Sequence, residues 1–286
     1  MQPKVAIVTG ASSGIGQATA AELARRGYAV VLAARRAERL AQVACQCDAA
    51  ARAAYAPRVP PAPPALAVPT DVCIEEQVQA LVDRAVQAHG RLDVMVNNAG
   101  YGLFARVHET STADMRAIFE ANYFGVFFGC KAAAAVMIRQ GGGHIFNVSS
   151  VIGKRGTPFH GAYCATKFAI VGLSDSMRVE LAPYGVRVTT VCPALTETEF
   201  FQHSRRGQSA GRSFRRFNSV TPATVVARKI VSAIGRNRPE IVLTAGGKFL
   251  ALVAALSPGL TDLMMRVYHD DLTRRMTNDE GRMTNE

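Results

Sequence analysis

Val5-Ala6-Ile7-Val8-Thr9-Gly10-Ala11-Ser12-Ser13-Gly14-Ile15-Gly16 is the stretch that decides how this chain folds. Four consecutive apolar residues read as a short buried strand. The run after Gly16 reads as a helix through about Arg26, closed by Gly27. Between strand and helix, Gly10, Gly14 and Gly16 form a turn. A chain that turns tightly there and lets an anionic group approach its backbone has no room for a Cβ. The helix start adds free N–H groups and a partial positive charge, which suit a phosphate. The stretch predicts the first strand, turn and helix of an α/β sheet that holds a nucleotide.

The rest of the chain repeats the pattern. Val30-Val31-Leu32-Ala33, Val94-Met95-Val96, His144-Ile145-Phe146-Asn147-Val148 and Val186-Arg187-Val188-Thr189-Thr190-Val191 read as strands. Helical stretches such as Glu75 to His89 and Asp114 to Arg139 lie between them. Strand and helix in alternation imply parallel strands with helices on both faces, a doubly wound sheet. Residues 1–245 are expected to form this one domain and 246–286 a C-terminal helical extension. Two segments depart from the pattern. Residues 41–69 are rich in Ala and carry Pro57, Pro60, Pro61, Pro63, Pro64 and Pro69. That run cannot be regular helix after Pro57, so an exposed insertion is expected at about 45–69, before the third strand. Phe249 to Leu256 is strongly apolar but is interrupted by Ser257-Pro258-Gly259, too soon to span a bilayer. It reads as a helix covering a hydrophobic cleft or a partner surface. The flanking Lys248 and Arg266 leave peripheral membrane contact open.

Composition sets limits without naming a function. The chain has 286 residues, 49% hydrophobic and 19% charged, enough to bury a substantial core. No apolar run is long enough for a transmembrane helix. Met1 to Lys4 lead directly into the first strand, leaving no room for a signal peptide, so a cytoplasmic protein is expected. The six cysteines show no zinc spacing and are expected to be reduced thiols, with no metal site. The net charge of +11 comes mostly from arginine, with a cluster at Arg205, Arg206, Arg212, Arg215 and Arg216. No recognition-helix or RNA-binding motif accompanies it, so no nucleic-acid partner is expected. The cluster reads as a solvated basic loop or as one that steers an anionic substrate.

Three further motifs follow the glycine turn in fixed order: Asn97-Asn98-Ala99-Gly100, then Ser150, then Tyr163-Cys164-Ala165-Thr166-Lys167. A Tyr with Lys four positions later would arise by chance only about 0.15 times in such a chain, so its conjunction with the glycine turn is no accident. Four residues apart on a helix, Tyr163 and Lys167 share a face. A phenol titrates near pH 10, and an adjacent ammonium would lower that value and ease proton exchange with an alcohol or carbonyl. The ordered set resembles the short-chain dehydrogenase/reductase family in its compact, single-domain Rossmann-fold subclass, over roughly residues 4–245.

The resemblance implies roles. Thr9, Gly10, Ser12, Ser13, Gly14, Ile15 and Gly16 would cradle a nicotinamide dinucleotide, Asp71 and Val72 would meet its adenine, and Asn98, Ala99 and Gly100 would flank it. Tyr163 would be the acid/base, Lys167 would also hold the nicotinamide ribose, and Ser150 would hold the substrate oxygen, with Ser149 as the lesser candidate. Asn122 matches the asparagine that positions a relay water. Pro193 and Thr198 match residues that seat the nicotinamide, although Ala194 and Thr196 depart from the usual Pro-Gly and aliphatic pattern and put the loop geometry in doubt. Residues 195–220 match the substrate lid. A homodimer or homotetramer built on Asp114 to Arg139 and Gly161 to Pro183 is also implied. His160 reads as a structural histidine.

The end of the second strand bears on cofactor choice. An acid there would hold the ribose hydroxyls of NAD, but the chain reads Ala33-Ala34-Arg35-Arg36. Guanidinium groups at Arg35 and Arg36 suit a 2′-phosphate, with Ser12 and Ser13 as added donors, so NADP(H) is favoured over NAD. The reading that follows is an NADP(H)-dependent oxidoreductase interconverting a carbonyl and a secondary alcohol. Its small-molecule substrate would be hydrophobic or anionic. The alternatives are an NADP-binding sensor or scaffold without turnover and, ranked lower, an epimerase or dehydratase of the extended branch.

Overall fold

Every residue of β1 (Val5–Thr9) is buried; Val5 and Ile7 point to one side of a sheet and Ala6 and Val8 to the other. A strand with no polar face needs cover on both sides, which commits the chain to a layered α/β arrangement. The computed structural model describes residues 2–54, 63–197 and 220–283. β2 (Ala29–Ala34) and then β3 (Leu66–Pro69) extend the sheet on one side of β1. On the other side follow β4 (Val94–Asn97), β5 (Gly143–Val148), β6 (Val186–Cys192) and, late in the chain, β9 (Glu240–Val242). All pairs are parallel, in the order β3-β2-β1-β4-β5-β6-β9. The short strands β7 (Thr196–Glu197) and β8 (Thr221–Pro222) pair with each other outside this sheet.

Helices α1 (Gly14–Arg25), α2 (Ala37–Ala54) and α7 (Ala223–Ala233) bury Leu23, Leu40, Val43 and Ile230 against the Ala6/Val8 face. Helices α3 (Glu75–His89), α5 (Gly125–Arg139) and α6 (Gly161–Leu181) bury Leu81, Val126, Met137 and Ile170 against the Val5/Ile7 face. The strand order reverses between β1 and β4, and doubly wound sheets bind ligands in the crevice at that point. The glycine turn after β1 and Asn98–Gly100 after β4 both open there.

Three expectations need correction. The alanine-rich run is helix as far as Ala54 and strand again from Leu66, so much of the expected insertion at 45–69 is regular structure. Alanine favours helix, and no proline interrupts the run before Pro57. The helix read as Asp114 to Arg139 is two. α4 (Thr112–Phe119) starts with the Ser111 hydroxyl accepting from Asp114 N–H at 3.0 Å, and a π-turn over Glu120–Phe124 separates it from α5. Taken together, Thr112–Arg139 is long and apolar enough to cross a bilayer, but 61% of its most apolar window is buried inside the protein, as in a core helix. Finally, Phe249, Leu252 and Leu256 of α8 (Ala245–Leu256) are exposed and cover no cleft among the described residues, which leaves the partner surface of the two roles expected for this helix. α9 (Pro258–Met283) follows. All six cysteines are free thiols.

His144 on β5 carries a pH-dependent part of the stability. Gly235 N–H donates to its Nδ1 at 3.2 Å, so Nε2 bears the proton and donates to Thr189 Oγ1 at 2.8 Å. Burial, with a smaller contribution from Arg187, pushes its pKa down to about 3. Above about pH 6.5 His144 is neutral both folded and unfolded. Below that the unfolded chain takes up a proton that the folded chain refuses, and stability falls by about 1.4 kcal/mol per pH unit. Between pH 6 and pH 5 the parent should therefore lose about 1 kcal/mol more unfolding free energy than His144→Gln in urea titrations. Equal losses would contradict this assignment.

Candidate active site

Thr9 joins the two turns of the crevice. Its Oγ1 accepts from the N–H groups of Asn98 (2.9 Å) and Ala99 (3.1 Å), and Asn98 Nδ2 donates to the Thr9 carbonyl at 3.0 Å. The sequence offered Thr9 as a cofactor contact, whereas its bonds make it a strut. Gly10 has φ 63° and Gly14 φ 55°, a conformation that favours glycine. A Cβ on Gly16 would sit 2.2 Å from the Gly10 carbonyl oxygen. The turn is thus packed on its own backbone. The Ser13 hydroxyl makes no capping bond, and the first turn of α1 holds no acidic residue. Uncapped N–H groups without a carboxylate beside them fit a pyrophosphate.

The same crevice opens into a cavity of about 130 Å³. Ile15, Asn98 and Gly100 line its turn side, and Ser150, Tyr163, Lys167, His160 and Pro193 line the other. Ser150 Oγ is hydrogen-bonded with Tyr163 and also donates to the Pro193 carbonyl at 3.3 Å. Ser149 Oγ instead donates to the Lys167 carbonyl at 2.9 Å and is buried, which makes Ser149 a structural tie. Asn122 is fully buried in the π-turn. Its Oδ1 accepts from Tyr101 N–H (2.9 Å), and its Nδ2 donates to the Tyr101 carbonyl (2.9 Å) and to Thr166 Oγ1 (3.3 Å). It stands one residue back from the wall residues Gly100 and Lys167. A Cβ on Gly100 would come within 2.8 Å of Asn122 Oδ1, so the close approach requires glycine there.

The electrostatics differ from the sequence argument. The Lys167 ammonium lies 5.4 Å from the Tyr163 ring centre and donates to the Val148 carbonyl at 2.9 Å. Burial pushes the Tyr163 phenol above its ordinary range, Cys164 adds to the rise, and the bond with Ser150 opposes it. Burial likewise pushes Lys167 down to about 8. Dehydration is therefore the largest influence on both groups, and Tyr163 holds its proton at neutral pH. His160, read as structural, also lines the cavity. Burial lowers its pKa, and its Nδ1 lies 3.0 Å from the Pro158 carbonyl.

At the far end of the crevice, Arg36 reaches back to Ser12 Oγ, with Nη2 at 3.0 Å. Arg35 is exposed, and its charge acts on the Cys73 thiol. Asp71 Oδ1 accepts from Cys73 N–H at 3.1 Å, and Val72 packs where a Cβ on Gly125 would lie. In the Pro193–Thr196 segment, Thr196 Oγ1 donates to the Ala194 carbonyl at 3.0 Å, and Thr221 N–H donates to the Leu195 carbonyl at 2.9 Å. Thr198, the five clustered arginines and most of the expected lid lie outside the described residues. A buried network escaped the sequence reading altogether. Asn97 donates to Asn147 Oδ1 at 2.9 Å, and Asn147 to Ser174 Oγ at 3.0 Å, linking β4, β5 and α6 behind the cavity. Polar residues inside strands announce no partner by spacing alone.

Residues 4–209 match the family model described as short chain dehydrogenase. An uncharacterized oxidoreductase of Bacillus subtilis, YxnA, is 31% identical over 285 residues, covering 97% of this chain and 76% of that protein. Among solved structures, a short chain dehydrogenase/reductase from Burkholderia phymatum in complex with NAD is 30% identical, with a TM-score of 0.74 over 96% of this chain and 95% of its own. An alcohol dehydrogenase from the archaeon Thermococcus sibiricus, complexed with 5-hydroxy-NADP, is 28% identical, with a TM-score of 0.72 over 85% and 96%.

Proposed function

Since the chain belongs to the short-chain dehydrogenase family, we propose that it is an NADP(H)-dependent oxidoreductase interconverting a small carbonyl compound and its secondary alcohol. The observation that carries this reading is the meeting of Ser150 with the buried Tyr163 and Lys167 around one cavity beside the uncapped start of α1. The nicotinamide cofactor supplies or accepts the hydride. Gly10, Gly14, Gly16 and the first turn of α1 hold its pyrophosphate, and Asn98 to Gly100 form the wall beside it. Ser150 Oγ orients the substrate oxygen toward Tyr163. The Tyr163 hydroxyl donates its proton to that oxygen on reduction and takes it back on oxidation. Because burial keeps Tyr163 protonated, the free site is poised for reduction. The Lys167 ammonium, fixed on the Val148 carbonyl, would hold the nicotinamide ribose and would favour the phenolate once the proton has gone.

NADP is favoured over NAD by Arg35 and Arg36 at the end of β2, by the Arg36–Ser12 bond and by the neutral Ala34. A bound NAD or NADP in one relative or another does not choose between them for this chain. Six free thiols suit a reducing cytoplasmic setting. Exposed Phe124, Phe168 and Val179 on and beside α5 and α6 suit a homodimer or homotetramer.

A panel of carbonyl and alcohol substrates followed by NADPH absorbance tests the activity. Tyr163→Phe should lower kcat by about 100-fold or more while leaving NADPH affinity nearly unchanged, since only the exchanging hydroxyl is lost. Retention of more than about a tenth of kcat would remove Tyr163 from the chemistry.

Arg35→Ala and Arg36→Ala should each weaken NADPH binding by about 1–2 kcal/mol, toward the low end for charged hydrogen bonds because both guanidinium groups are exposed. NADH binding should barely change. Equal losses for the two cofactors in titrations would show that neither arginine reads the 2′-phosphate.

A further inference from the structure

Among the described residues, Phe159 is the only one other than glycine with positive φ, at 63°. A bulky residue does not hold that conformation unaided. Its ring stacks with Phe104 (centres 5.2 Å apart, planes at 19°) and with His269 of α9 (5.4 Å, 6°). The Arg106 guanidinium stands 5.6 Å from the ring centre, and the Phe159 carbonyl accepts from Ala105 N–H at 2.8 Å. Leu272 and Tyr268, also on α9, pack into the same cluster. A few residues earlier, Arg155 pairs with Asp262 of α9. The C-terminal helix therefore grips the segment between Ser150 and Tyr163 at two points.

That segment forms one wall of the cavity. His160 follows Phe159 directly, lines the cavity, and meets the edge of Phe104 with ring centres 5.2 Å apart. Its carbonyl accepts from Cys164 N–H at 2.8 Å, so the same residue starts the helix that carries Tyr163. α9 lies beyond the residues that match the family model. We propose that α9 shapes the substrate end of the cavity by holding Phe159 in its strained conformation, which makes His269 and Asp262 positioning residues for substrate specificity. The aromatic stack transmits the hold from His269 through Phe159 and Phe104 to His160. The cofactor wall belongs to the turns after β1 and β4, so cofactor binding does not depend on the clamp.

The specificity part rests on the oxidoreductase reading above, and two kinds of measurement keep the two separable. Removing the ring in His269→Ala should change the kcat/KM ratio between a bulky and a small carbonyl substrate about tenfold. The change should appear in KM, with kcat for the small substrate and NADPH affinity unchanged, and His269→Phe should restore the ratio. Independently of turnover, amide exchange at Ala105 and Cys164 should quicken about tenfold in His269→Ala and in Asp262→Asn, and return to the parent rate in His269→Phe. An unchanged ratio with unchanged exchange overturns the proposal. So does a uniform loss of kcat and cofactor affinity that His269→Phe does not rescue. If the parent reduces no carbonyl, the oxidoreductase reading fails and the exchange rates alone decide whether α9 holds the wall.

Discussion

Burying the Lys167 ammonium is the constraint on which the top of the sheet depends. Lys167 is only 4% exposed, and a buried charge is tolerated only where hydrogen bonds replace water. The end of β5 supplies that replacement through the Val148 carbonyl. The next residue, Ser149, ties back to the Lys167 carbonyl, and Gly153 lacks a Cβ that would stand 2.8 Å from that same oxygen. Both ends of Lys167 thus lock α6 to the loop after β5. With Ser149 used as the tie, Ser150 is left to face Tyr163.

The same dryness sets the chemistry. Tyr163 and Lys167 are both pushed toward their neutral forms by burial, so the free site holds a protonated phenol beside a lysine that titrates near 8. Such a site keeps the phenol proton in place until an oxygen that gains negative charge is there to accept it. The cofactor end of the crevice has the opposite character, with exposed arginines, free helix N–H groups and no carboxylate in the first turn of α1. An anion is attracted at one end and a proton is held at the other.

Much of this was legible in the sequence because it rests on local rules. The glycines at 10, 14 and 16 signalled a turn that excludes Cβ atoms, and the apolar runs signalled strands covered on both faces. Tyr163 and Lys167 meet because they lie four apart on α6. Four features were not legible. Helical periodicity continues through Glu120–Phe124, so the π-turn that aims Asn122 at Tyr101 leaves no local trace. Alanine richness hid that α2 runs on through Ala54. Whether burial or Lys167 governs the Tyr163 proton depends on distance and dehydration, neither of which spacing reports. The stack of His269 on Phe159 joins residues 110 positions apart, and no short motif encodes such a contact.

Burial keeps Tyr163 protonated in the free protein. Carbon NMR of ring-labelled tyrosine, with the Tyr163 resonance assigned by its loss in Tyr163→Phe, reads that proton directly across a pH titration. Tyr163 should still be un-ionised at pH 10, the midpoint of an ordinary tyrosine. A midpoint at or below about pH 8 would show instead that the Lys167 charge, and not burial, governs the Tyr163 proton.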